Sequence, residues 1–168
     1  MWLRSKTDRA IAAYLASTVA GATAYPANSP ADRVFPCITV KASDGRPDPQ
    51  FSGVYRCSVT VEVQYSPDND TGSDGEMARV RLDALADKVA EALMQSDNDQ
   101  NLKATANAIT AAARAKAVAS PIYDADLADF TCDLVFETGF AGGRTNDEGS
   151  AWVELLTFEA DVCGKALE

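Results

Sequence analysis

From residue 55 to residue 65 every odd position is apolar or aromatic (Tyr55, Cys57, Val59, Val61, Val63, Tyr65), and every even one is polar (Arg56, Ser58, Thr60, Glu62, Gln64). A strict period of two predicts a long strand with one buried and one wet face. Residues 34–42 read as a shorter strand, which Pro36 places at an edge or near a strand start. The linking stretch 43–53 holds Gly45, Pro47 and Pro49 and is too long for a tight turn, so the pair is expected as a hairpin with a projecting loop. Two more strands are expected near 128–138 and 151–163. In the first, Phe130, Cys132, Leu134 and Phe136 alternate with Thr131, Asp133 and Glu137. In the second, Leu156, Phe158, Ala160 and Val162 lie opposite Thr157, Glu159 and Asp161. Between them 139–150 reads as a flexible, glycine-bearing hairpin tip.

Three segments follow the helical period instead. Over 7–20, Ile11, Tyr14, Leu15 and Val19 share a face, Thr7 or Asp8 can cap the start, and Gly21 is a stop. Over 75–96, Ala78, Leu82, Leu85, Val89 and Leu93 form one stripe, with Ser73 and Glu76 at capping-box spacing ahead of it. The alanine-rich 101–116 segment is expected to be helical but weakly anchored, because alanine supplies propensity and little burial; Leu102, Ile109 and Val118 are its large aliphatics. The order predicts one α+β domain over 1–168: a four-stranded, mainly antiparallel sheet with helices packed on one face, and long hairpin loops. The helices near 7–20 and 75–96 should cover the apolar face, burying Val59, Val61, Val63, Leu134, Phe136 and Phe158 against Leu85, Val89 and Ile11.

Composition narrows the function. With 168 residues and 46% apolar content the chain can bury a core without a metal or disulfide. Fifteen basic residues against 25 acidic ones leave a net charge of −10, which argues against a protein whose task is to grip phosphate. Histidine is absent, which removes Ser-His-Asp and Cys-His catalysis and His-ligated metals. The cysteines Cys37, Cys57, Cys132 and Cys163 are far apart and form no CxxC pair. Arg4, Lys6 and Arg9 before an alanine-rich stretch ending at Ala24 outline a signal peptide, but Asp8, Ser17, Thr18 and Gly21 spoil it. The expectation is a chain made in a reducing compartment, with free thiols and no membrane span.

The loop 66–76 carries Asp68, Asp70, Asp74 and Glu76 and no base. Its Asp68-Asn69-Asp70-Thr71-Gly72 run suggests calcium, but the twelfth position from Asp68 is Arg79 where an EF-hand needs glutamate, so a solvated turn is the better reading. No carboxylate pair stands out by spacing, and Gly139, Gly142 and Gly143 do not sit between a strand and a helix as a phosphate turn would. No enzyme activity, metal or cofactor is expected.

The run of elements resembles the tail terminator (tail-completion, or neck) proteins of long-tailed bacteriophages. The resemblance rests on the helix Asp-Arg-Ala-Ile-Ala-Ala-Tyr-Leu at 8–15, the strand Val-Phe-Pro-Cys-Ile-Thr-Val at 34–40 and the alternating strand at 53–65. The helix at 82–93 and the closing hairpin ending at 152–163 complete it. It implies a virion protein, made in the host cytoplasm, that forms a ring of about six copies on the head-proximal end of the tail tube. The ring would end tube polymerisation and join a head connector, and DNA would pass through its lumen without specific binding. A head-closure protein one layer up, or an acidic non-viral binding module, are the alternatives. Long loops are the expected contact regions, with Arg46, Asp68, Asp70, Asp74, Glu76, Arg79, Arg144, Asp147 and Glu148 as candidate interface residues.

Overall fold

The computed structural model describes residues 3–43, 45–47, 49–50, 53–66, 75–93, 99–145 and 152–163; over 75–78, 99–102, 134–145 and at 152 only the backbone is considered. The elements run α1 Leu3–Thr18, β1 Thr23–Pro26, β2 Cys37–Ala42, β3 Arg46–Pro47, β4 Val54–Tyr65, α2 Gly75–Leu93, α3 Asp99–Ala119, a 3₁₀ helix Ala125–Asp129, β5 Thr131–Thr145 and β6 Trp152–Cys163. They form an α+β fold of three helices and a mixed sheet in the order β1-β2-β4-β6-β5, with β3 beside β4. The four expected strands are present and antiparallel to one another, in register along the full length of β4 and β6.

Two strands were not legible. β1 is only Thr23-Ala-Tyr-Pro, too short to show a period, and it pairs parallel to β2. β3 pairs Arg46 with Arg56 and Pro47 with Tyr55, so the loop expected to project after β2 doubles back onto β4. Gly45 permits this: a Cβ there would stand 2.7 Å from Tyr55 Cβ and 3.0 Å from Cys57 Sγ. Gly21 does act as the stop after α1, in the left-handed region at φ +92°.

The alternation of β4 holds throughout. Cys57, Val59, Val61 and Val63 are fully buried, and Glu62 and its even-numbered neighbours are exposed or half-buried. In β6 Leu156, Phe158, Ala160 and Val162 are buried as expected. β5 departs from simple alternation. A register shift between Cys132 and Leu134 pairs Leu134 with Asp161 and Phe136 with Glu159, both on the outward parity of β6, and brings Val135 opposite Ala160. The expected burial of Leu134 and Phe136 falls on side chains outside those described. A bulge inserts one unpaired residue and so reverses parity beyond it, which a two-residue period cannot reveal. Further shifts flank Gly139 and precede Arg144, and they carry β5 on to Thr145. Much of the stretch read as a hairpin tip is therefore strand, paired to β6.

All three helices contribute to one apolar cluster with the inner sheet face. Leu82, Leu85, Val89 and Leu93 of α2 are buried as the stripe predicts; Ala78 and Ser73 lie outside the described side chains and residues, respectively. α1 lies on β1 and β2, α2 on β4 and β6, and α3 packs against both β5 and α1, so the sheet curls around the helices. This corrects the reading of α3 as weakly anchored. Its Ala106, Ile109, Ala113 and Ala117 are buried. Small side chains let its backbone come close to its neighbours, where dispersion contacts replace side-chain bulk. Val118, one of its three large aliphatics, is exposed.

Candidate interaction surfaces

Of the nine residues expected at an interface, the structure describes Arg46, Glu76, Arg79 and Arg144. Arg46 is exposed on β3, next to Arg56 in register. Arg79 is exposed on α2, and Glu76 lies in that helix's first turn, its side chain outside those described. Arg144 belongs to β5 rather than to a loop and pairs with Val153, its side chain likewise outside those described. Asp68, Asp70, Asp74, Asp147 and Glu148 lie outside the described residues, and the calcium-like run lies there with them.

What the structure does bring together are ties that fix the helices on the sheet. Arg9 of α1 donates from Nη1 to Asp124 Oδ1 at 2.8 Å, to Asp126 Oδ1 at 3.0 Å and to the Tyr123 carbonyl at 3.2 Å, and from Nη2 to Asp126 Oδ2 at 2.6 Å. This planar fork locks α1 to the 3₁₀ helix that follows α3. Asp8, one residue earlier, accepts the backbone N–H of Ala42 at the end of β2. Tyr14 donates to the Ala92 carbonyl at 2.6 Å and joins α1 to α2.

Thr110 of α3 closes the edge strand. Its hydroxyl accepts the Cys132 N–H at 2.9 Å and lies 3.0 and 3.2 Å from the Ala106 and Cys132 carbonyls. Thr110→Val keeps the shape and removes these bonds, leaving a buried N–H unpaired. The expected loss is about 1–3 kcal/mol, measured by urea unfolding, with faster amide exchange at Cys132 and not at Val61.

The outer sheet face is largely polar, with Val153 and Leu155 of β6 also on it. Arg56 donates from Nε to Asp161 Oδ1 at 2.8 Å and from Nη2 to Asp161 Oδ2 at 3.0 Å across the β4–β6 ladder, and so buries Asp161 on the wet side. At the β1 end the segment before β2 folds over this face: the Arg33 guanidinium stands 4.6 Å from the Tyr25 ring centre, and Tyr25 accepts the Val34 N–H. Cys37 is buried at the same end and lies 3.6 Å from Gln64 Oε1. All four cysteines are free. Burial pushes the Cys37 thiol up to about 11 and the Cys132 thiol up to about 12. Burial, then the charges of Asp133 and Asp161, also raises Cys163. These thiols stay protonated near neutral pH, the opposite of an activated nucleophile.

Two surface features escaped the reading of the sequence. Val118, Ile122 and Tyr123 are exposed by 82%, 84% and 78% around the C-terminal end of α3. The signal was available as a run of large apolar residues placed beyond the buried stripe. On the other helix, Asp83 and Asp87 stand one turn apart on the exposed face of α2, close to Glu154 of β6. Burial first, then the charges of Asp83 and Asp87, hold the Glu154 carboxyl above its ordinary value, with Arg79 acting in the other direction. Among the described residues no group of three or more His, Cys, Asp or Glu is arranged to hold a metal ion. No described helix is long and apolar enough to cross a membrane. The residues of the signal-peptide outline are built into the fold as α1 and β1.

The sequence matches no known family model and no curated protein.

Proposed function

We propose that this chain is a structural protein of a long-tailed phage virion, a tail terminator that forms a ring of about six copies on the head-proximal end of the tail tube. In this reading it ends tube growth, contacts the tube protein on one side and the head connector on the other, and lets DNA pass without specific binding. It is not an enzyme and needs no cofactor. The observation that supports the reading best is the one-sided sheet. Three helices cover the inner face, while Ser58, Thr60, Glu62, Gln64, Thr157 and Glu159 make the outer face largely polar, with Val153 and Leu155 beside them, and no described helix packs on it. Such a face is free to line a passage, and where Arg56 stands on it, Asp161 neutralises the guanidinium. Lys41 and Arg46 are exposed on the same face, so in this reading the carboxylates around them and the net charge of −10 keep phosphate from being held.

The test combines solution mass, negative-stain imaging and tail assembly in the presence and absence of the chain. Rings of about six copies, and tubes of uncontrolled length when the chain is missing, are the expected results. A variant trimmed over 146–149, past the last paired residue of β5, is expected to fold as a monomer that neither forms rings nor attaches to the tube. A parent chain that stays monomeric and leaves tube length unchanged would favour the acidic binding module instead.

A further inference from the structure

In a protein with a net charge of −10, the stretch from Lys103 to Ala119 carries Lys103, Arg114 and Lys116 and no acid. Lys103 is held by Asp133 at 3.1 Å. Arg114 and Lys116 are exposed, and neither pairs with an acid among the described residues. Directly beyond them stand the exposed Val118, Ile122 and Tyr123. Three large apolar side chains exposed within six residues, beside unpaired cations, are a candidate contact surface.

The α2 face has the opposite sign. Val80, Asp83 and Asp87 recur at i, i+3 and i+7, which places them on one side of the helix, and Val80 is itself 57% exposed. Glu154 adds a third carboxylate from β6. Arg79 and Lys88 are also exposed on α2, while Arg81 is engaged by the Tyr65 hydroxyl. Arg79, one turn before Asp83, offsets these three carboxylates only in part, and the cluster remains net negative.

We propose that the exposed end of α3, with Arg114, Lys116, Val118 and Ile122, docks on the Val80–Asp83–Asp87 face of α2 in the next copy of this chain. The contact joins two different surfaces, which is what a head-to-tail ring requires, and each copy carries both halves. A two-fold pairing of α3 with itself is disfavoured because it would set Arg114 and Lys116 against the same charges. The proposal rests on the ring reading above and names the surfaces that close it.

The experiment is a charge swap in the full chain, read by sedimentation or mass photometry with circular dichroism as the check on folding. R114E/K116E and D83K/D87K are each expected to weaken assembly by about tenfold or more, and the chain carrying all four changes is expected to recover it. Because every substituted side chain is exposed, folding should survive; Val118→Ser with Ile122→Ser tests the apolar half without altering charge and is expected to weaken assembly too. Rings indifferent to all these changes would overturn the contact while leaving the ring intact, and would assign the α3 end to a different protein. Open chains or dimers that follow the swap pattern would sustain the contact and overturn the closed ring. A parent chain monomeric at every concentration would overturn both.

Discussion

Arg9→Ala is expected to cost about 3 kcal/mol in urea unfolding, the range for removing one partner of a largely buried ion pair. The side chains of Arg9, Asp124 and Asp126 retain only 15%, 10% and 22% of their exposure, so water does little to replace the lost guanidinium. Burial works against a charged Asp126. Hydrogen bonds and charge from Arg9, with Lys6 adding to them, outweigh it and hold the carboxyl below its usual value. Burial likewise opposes the Arg9 charge and is outweighed by both aspartates. Because the Asp126 carboxyl is depressed, its contribution is present near neutral pH and is lost as pH falls through the folded value. Arg9→Lys should recover less than half, since an ammonium cannot span both oxygens of Asp126 while also reaching Asp124 and the Tyr123 carbonyl. A loss below about 0.5 kcal/mol for Arg9→Ala would show that the node behaves as a surface salt bridge.

The contrast between β4 and β5 shows what a sequence can disclose. In β4 the chain between Val54 and Tyr65 carries no bulge, pairs on both sides and has one face against helices, so burial maps directly onto parity. β5 begins with the same alternation, yet it is an edge strand with three register shifts, and each shift depends on what β6 offers across the ladder. Nothing local encodes that. α3 failed for a different reason. Alanine at 106, 113 and 117 looks the same in sequence whether it is exposed or pressed against α1, and only the curl of the sheet decides between the two. The interface of nine residues expected from the sequence lies largely in loops, which often carry function. Five of those nine lie outside the described residues, whereas the exposed apolar residues and crowded carboxylates lie on helix ends, a helix face and a strand.

Asp8 should give the opposite pH dependence from Asp126. It is 4% exposed, and burial, the largest influence, raises its carboxyl from 3.8 to about 6. The Ala42 N–H and then the charges of Arg4, Arg9 and Lys41 pull the other way without winning. The folded chain therefore binds this proton more tightly than the unfolded one. The stabilisation is fully present below the unfolded value and is lost as pH rises through about 6. A shift of this size corresponds to roughly 3 kcal/mol between about pH 4 and about pH 7. Asp8→Asn keeps an oxygen for the Ala42 N–H and cannot titrate, so its stability relative to the parent should climb across that window and level off above it. Glu154, also raised, is present in both chains and cancels in the difference. Urea unfolding of the pair at several pH values measures this directly. Parallel stability curves over the whole range would show that Asp8 is solvated well enough to keep its ordinary pKa, and that the tie between α1 and the end of β2 carries no buried charge.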